Sequence, residues 1–287
     1  MSSLSPLTQG PQTWKVTLSY DGTDFRGWQV QPEQTTIQGE LQAALGRVTG
    51  ETPLPQGSGR TDAGVHALAQ VASFALRAPI PPENLARALN RTLPAAIRVH
   101  NAHVMPEGFH ARHSAIAKTY EYRLMIERGG RGDRCSPFSA RYVHMCPWQL
   151  DREALQAAAG CFVGEHDFTS FAASDPDQAE RTTVESVEGD SEAATAMRTI
   201  FASEWSARST EWGELLVYRV RGDGFLHHMV RNLVGTMIEV GRGALNAEAI
   251  AGILAARSRA MAGPTAPARG LFLHSVEYPA QFATGDC

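Results

Sequence analysis

Gly57-Ser58-Gly59-Arg60-Thr61-Asp62-Ala63-Gly64-Val65-His66 is the stretch around which the chain is organised. Its glycines let the backbone turn tightly, adopt positive φ and approach a ligand closely. Among them stand one guanidinium, Arg60, and one carboxylate, Asp62, with no bulky neighbour before Val65. Two readings follow from the residues. Asp62 is either an acid held at the floor of a cleft or the cap of an amide in a surface hairpin turn.

As chemistry, a lone carboxylate can act as nucleophile, general base or metal ligand. A metal site would want further Asp, Glu or His in the same motif, and only His66 is close. A glycosidase needs a second carboxylate at a set separation; Asp21 or Asp24 could supply one only through the fold. A phosphate loop would continue Gly-Lys-Ser/Thr, and this stretch does not. The single-acid reading is favoured.

Working outward, the 287 residues suffice for one large domain or two ordinary ones, and 43% hydrophobic with 20% charged residues is a soluble globular composition. No apolar run is long enough to span a bilayer. Met1 to Pro11 lacks the basic-then-apolar pattern of a secretory leader and reads as a disordered tail. Cys135, Cys146, Cys161 and Cys287 form no CxxC pair or zinc spacing, which fits free thiols in a reducing cytoplasm. The net charge of −4 does not announce a nucleic-acid partner. Its distribution is uneven, however. Arg91 to Arg128 is mostly basic, whereas Asp167 to Glu192 is acidic with only Arg181 against it. Such a chain can still present a basic face.

Strand and helix signals alternate irregularly. Trp14–Tyr20 predicts a strand, and Thr36 caps a helix running through Val48 and stopping before Gly50. Strand Gln70–Leu76, a helix from Pro81-Pro82 to Leu93 and strand Ile97–Met105 follow. Phe109–Ser114 is a link, after which signals begin afresh at Lys118. Thr119–Ile126 predicts a strand with Tyr120 and Tyr122 on one face. Asp151 caps a helix to Phe162, residues 173–197 read as an acidic solvated insertion, and Thr199–Arg208 with Glu214–Arg221 read as a hairpin. Phe225–Val240 and Ala247–Ala256 predict helices, and Leu271–Tyr278 a closing strand. Without regular βα alternation the fold class is α+β. The expected organisation is a tail at 1–13, halves at 14–113 and 114–279, and a tail at 280–287.

Tyr120 reads from its strand as either a core tyrosine or a functional ring. Arg231, alone in an apolar helix, needs a partner or a route to solvent, because a buried unpaired charge is costly. Arg26, Arg112 and Lys118 are candidates for phosphate contacts or plain surface charges.

Gly59 to His66 is similar to the GRTDAGVH signature of the tRNA pseudouridine synthase A family. Tyr20-Asp21-Gly22-Thr23-Asp24-Phe25-Arg26-Gly27-Trp28-Gln29 resembles that family's first motif. Phe109-His110-Ala111-Arg112 and Lys118-Thr119-Tyr120-Glu121-Tyr122 resemble the next two. Gly164 to Phe171 and Phe225 to Asn232 resemble the last two, all in the family's order. The resemblance implies two similar α+β halves sharing a mostly antiparallel sheet with the active-site cleft between them. It implies isomerisation of uridine to pseudouridine at positions 38, 39 and 40 of the tRNA anticodon stem-loop. By the same resemblance Asp62 is the nucleophile, Arg231 its ionic partner, Tyr120 the ring on the target uracil, and Arg60 a residue that enters the space left by the flipped base or holds the flanking phosphate. The reaction is redox neutral, so no cofactor and no metal are expected. A cytoplasmic homodimer acting on tRNA is implied. An RNA-binding module without catalysis and a hydrolase of glycosidic bonds are the rival readings.

Overall fold

The computed structural model describes residues 10–127, 135–173 and 196–283. Most of the acidic insertion, residues 128–134 and both chain ends therefore lie outside the described residues. The chain forms two compact units, one of residues up to Ile116 together with those from Leu273, the other Ala117–Phe272. Both combine antiparallel strands with helices, as the α+β expectation requires.

In the first unit β1 (Gln12–Tyr20) lies between β3 (His66–Leu76) and β4 (Ile97–Val104), antiparallel to both. The strand reaches back to Gln12, two residues into the expected tail. Residues 273–277 of β10 (Leu271–Glu277) flank β3 on its other side, and the two-residue β2 (Gln56–Gly57) pairs with β3 as well. Alternation along β1 puts Trp14, Val16, Leu18 and Tyr20 on one face, all buried. The apolar stripes of α1 (Ile37–Thr49) and α2 (Pro82–Thr92) are buried too, through Leu41, Leu45, Leu85 and Leu89. Thr36 caps α1 by accepting the Gly39 N–H, and Gly50 ends it in the left-handed region, as the sequence predicts. A separate cluster gathers Val71, Met105, Phe109 and Ala111 with Val276, Tyr278 and Phe282. Lys15, 6% exposed, sets its ammonium 5.1 Å from the centre of the Tyr278 ring.

In the second unit the strand order is β5 (Ala117–Glu127), β9 (Gly213–Gly222), β8 (Met197–Ser209), β7 (Gly164–Asp167), with the short β6 (His144–Cys146) parallel to β5. Tyr122 and Tyr218 face one another across β5 and β9, both fully buried. Among the described residues three α-helices belong to the unit: α3 (Arg152–Gly160), α4 (Met229–Gly241) and α5 (Ala249–Ala256). Asp151 caps α3 as expected, accepting from the Glu153 and Ala154 amides.

Helix α4 is the deepest element, burying every residue except Arg231 and Glu239. It starts at Met229, four residues later than its apolar pattern suggests. His228 sits at φ 58°, which breaks the helical path and stacks the His227 and His228 rings 4.0 Å apart. Adjacent helical residues would point apart; these precede the helix and do not. The segment 262–266 lies against α4 so closely that a Cβ on Gly235 would fall 1.6 Å from the Pro264 carbonyl oxygen.

Gly235→Ala forces that backbone away and should cost about 3 kcal/mol or more, seen as a lower urea midpoint or loss of soluble protein. Gly252, inside α5, has open space where a Cβ would stand. Gly252→Ala should instead stabilise by about 0.5–1 kcal/mol in the same titration.

Candidate active site

The Asp62 loop leaves the end of the β2 ladder and is gripped from beneath. Ser58 donates its backbone N–H to the Val71 carbonyl at 2.7 Å, the last backbone bond to β3 before the loop lifts away. Ser58 and Thr61 are buried, Arg60 is exposed and Asp62 is half-buried. The inward residues meet polar partners. The Ser58 hydroxyl donates to Gln70 Oε1 (2.7 Å), and the Tyr20 and Thr61 hydroxyls share a 2.8 Å hydrogen bond. Burial pushes the Tyr20 hydroxyl up to about 12, against the opposing effect of its bonds to Thr61 and Gln70, so it remains a neutral phenol.

The loop of the first motif clasps the other side. The Trp28 N–H donates to the Thr61 carbonyl at 2.9 Å. Gly27, at φ 91°, comes so close that a Cβ there would lie 2.7 Å from the same oxygen. Trp28 is 2% exposed and anchors the core. Downstream, His66 Nδ1 lies 3.1 Å from the Gly22 amide and 3.2 Å from Asp21 Oδ1. An unprotonated Nδ1 accepts from Gly22; a protonated one donates to Asp21 instead. Arg26, exposed, is carried by this clasping loop. Arg112 is exposed on the 109–114 turn, which His110 Nδ1 organises by accepting the Arg112 (3.0 Å) and His113 (3.3 Å) amides. Burial, then the nearby His113 and Arg112, lowers the His110 pKa and favours the neutral ring that this acceptor role requires.

Asp62, Arg60, Arg26 and Arg112 thus belong to the first unit, and Tyr120, Lys118 and Arg231 to the second. Tyr120 is 8% exposed on β5 and packs edge-on against Phe225, ring centres 4.9 Å apart. Lys118, two residues earlier, is half-buried. The Arg231 guanidinium is held by its Nε–H, which donates to the Ala266 carbonyl at 2.7 Å, while the Ala266 N–H returns a bond to the Arg231 carbonyl. Asn232, fully buried, donates to the Phe171 carbonyl and accepts from Arg259 and Thr265. A reciprocal clamp therefore fixes the first turn of α4 to the 259–266 segment. Tyr122 is core: burial raises its pKa strongly, with the Arg231 and Arg269 charges opposing, and its hydroxyl donates to the Pro267 carbonyl.

Comparison with known proteins agrees with this arrangement of motifs. A family model described as tRNA pseudouridine synthase matches residues 17–114 and 158–279. The chain belongs to that family. It is 50% identical over 264 residues to a protein of Solibacter usitatus named tRNA pseudouridine synthase A, covering 92% of this chain and 98% of the relative. Relatives of the same name from Moorella thermoacetica and Bacillus pumilus are 45% and 41% identical over 266 residues, again covering 92% of this chain and 98% of each relative. Membership makes the chain an enzyme of the isomerase class. Among the described residues no helix is long and apolar enough to cross a membrane.

Sequence reading missed Gln70, Tyr20, Ser58 and Asn232 as supports. For Gln70 and Asn232 the available signal was a polar residue within a mostly apolar strand or helix; Ser58, in the loop, and Tyr20, an aromatic in phase with its strand, carried none. Glu121, beside Tyr120 on β5, stands in phase with Arg123 where alternation predicts a polar residue, so its burial was not signalled either. It is 5% exposed and accepts from Arg123 Nε (2.7 Å) and from Arg219 Nε (3.0 Å) and Nη2 (2.9 Å), tying β5 to β9. Burial alone would raise its pKa, but the hydrogen bonds and charges of Arg123 and Arg219 outweigh it and hold the value below 4.5. A depressed folded-state pKa stabilises the fold above the unfolded value and ceases to do so as pH falls through the folded one. Glu121→Gln should therefore lower stability by about 1–3 kcal/mol at pH 7. The difference in melting temperature from wild type should shrink progressively below pH 4.5.

Proposed function

We propose that this enzyme isomerises uridine to pseudouridine at positions 38, 39 and 40 of the tRNA anticodon stem-loop, with Asp62 as nucleophile. The observation that carries the reading is the Asp62 loop itself. Its sequence is similar to the family signature, and it presents a half-buried carboxylate on a backbone held at Ser58 and Thr61. A nucleophile needs that combination of access and fixed aim.

In the reaction the N1–C1′ bond of the uridine breaks, the uracil turns, and C5 bonds to C1′. C5 then loses its hydrogen and N1 gains one, so atoms and electrons balance without an external donor. Asp62 supplies the anionic oxygen during the exchange. Arg231, with Nε already committed to Ala266, serves as the cationic partner that keeps the acid ionised. Tyr120 stacks on the flipped uracil from a ring steadied by Phe225. Arg60, exposed beside the acid, enters the space left by the flipped base or holds the flanking phosphate, and Arg26, Arg112 and Lys118 contact the backbone. Three target positions in different sequence contexts call for recognition of shape and phosphates rather than base edges. The family resemblance also implies a homodimer, cysteines without disulfide or zinc spacing fit work in the cytoplasm, and a redox-neutral isomerisation calls for no cofactor or metal.

Release of tritium from tRNA carrying [5-³H]uridine reports the C5–C1′ exchange directly. Wild type should release it and Asp62→Asn should not, with a rate at least about 10⁴-fold lower and tRNA binding retained. Sequencing of the product should place pseudouridine at 38, 39 and 40. Binding without release by wild type would favour a non-catalytic RNA-binding module, and release of free uracil a hydrolase.

A further inference from the structure

Gln70 lies in the middle of β3, in a run, His66–Leu76, that is otherwise mostly apolar and small. It is 0% exposed. A buried amide is costly unless its hydrogen-bonding capacity is met, and an apolar side chain would pack β3 without that cost. Gln70 meets the requirement entirely at the base of the Asp62 loop. Its Oε1 accepts from the Ser58 hydroxyl (2.7 Å) and the Val71 amide (3.2 Å). Its Nε2 donates to the Gly59 carbonyl (2.9 Å) and to the Tyr20 hydroxyl (3.3 Å). Two donors are matched by two acceptors and the oxygen by two donors, which fills the amide's capacity.

The partners also fix which way the amide faces. A flipped Gln70 would set its NH₂ against the Val71 N–H and its oxygen against the Gly59 carbonyl, two like-for-like contacts in a buried site that no hydroxyl rotation relieves, although the Ser58 and Tyr20 hydroxyls could reverse their roles. One orientation is therefore enforced, and through it three loop residues are held: Ser58 and Gly59 directly, Thr61 through Tyr20. The residues between and after them, Arg60 and Asp62, are the ones left exposed or half-exposed. The backbone ladder from β2 ends at the Ser58 N–H, so the amide takes over where sheet pairing stops.

We infer that Gln70 is the positioning residue of the active-site loop: acting through Gly59 and the Tyr20–Thr61 pair, it sets the aim of the Asp62 carboxylate rather than touching substrate. The inference rests on the reading of Asp62 as nucleophile. A misplacement of about 1 Å at a reacting group costs on the order of 10²-fold in rate while leaving remote binding contacts intact. The signature of Gln70 is therefore a loss in the chemical step without a matching loss of tRNA affinity.

The test measures single-turnover tritium release from [5-³H]uridine tRNA, tRNA affinity by filter binding, and melting temperature, on the full chain. Gln70→Leu should slow the single-turnover rate about 30- to 100-fold with tRNA affinity within about threefold of wild type. Tyr20→Phe, which deletes one hydroxyl from the relay and serves if Gln70→Leu does not fold, should slow it about tenfold. The double variant should be no slower than Gln70→Leu alone, because both act through one chain of bonds. A wild-type rate in either folded single variant would overturn the proposal, as would a fall in tRNA affinity equal to the fall in rate. Asp62→Asn is run alongside. If it releases tritium at the wild-type rate, the nucleophile assignment fails and takes the proposal with it; if it is inert while Gln70→Leu is at full speed, only the positioning role fails.

Discussion

A carboxylate that must meet a substrate has to be exposed, and a carboxylate that must aim has to be fixed. Those demands conflict on a loop, where exposure normally brings mobility. Here they are reconciled by polar groups buried beneath the backbone. Ser58, Gly59 and Thr61 are bonded inward to Gln70 and Tyr20, and the Trp28 amide and the close approach of Gly27 confine the same segment from the first-motif loop. Because the network is dry and its partners are matched donor to acceptor, each bond counts for more than it would at the surface. The rest of the first unit is arranged so that β1 delivers Tyr20, β3 delivers Gln70, and the two strands lie side by side.

The second unit uses the same device with different residues. Arg231 would be a costly charge on so apolar a helix. It is made usable by a reciprocal pair of bonds with Ala266 and by the buried Asn232, which ties the next residue to Phe171, Arg259 and Thr265. Gly235 lets the 262–266 segment come close enough for those bonds to form. On β5, Glu121 and its two arginines register the strand that carries Tyr120. In each case a residue proposed to act on substrate has a neighbour whose polarity is spent on holding it.

Much of this was legible beforehand. Thr36, Asp151 and Gly50 announced helix ends because capping is a local rule, satisfied within a few residues. The strands at Trp14 and Thr119 declared themselves by alternation. The start of α4 did not. Its apolar run begins at Phe225, but backbone conformation, not hydrophobicity, decides where a helix begins, and His228 takes a positive φ that no periodicity encodes. The closing strand was found as a strand, yet its grouping of residues 273–277 with the first unit is a matter of pairing between distant segments.

The sequence by itself determined the α+β class, the caps, the identity of the Asp62 loop and, through its motifs, the family. These are local patterns, readable because short-range geometry and residue chemistry suffice to specify them. Only the tertiary structure decided what holds the loop. Tyr20 and Gln70 are fifty residues apart and Asn232 lies far from Phe171. Nothing in a chain read in one dimension says that a buried amide and a carbonyl will meet. The requirement that buried polar groups find partners is exact in kind but silent about which partners, and only the packed fold supplies them.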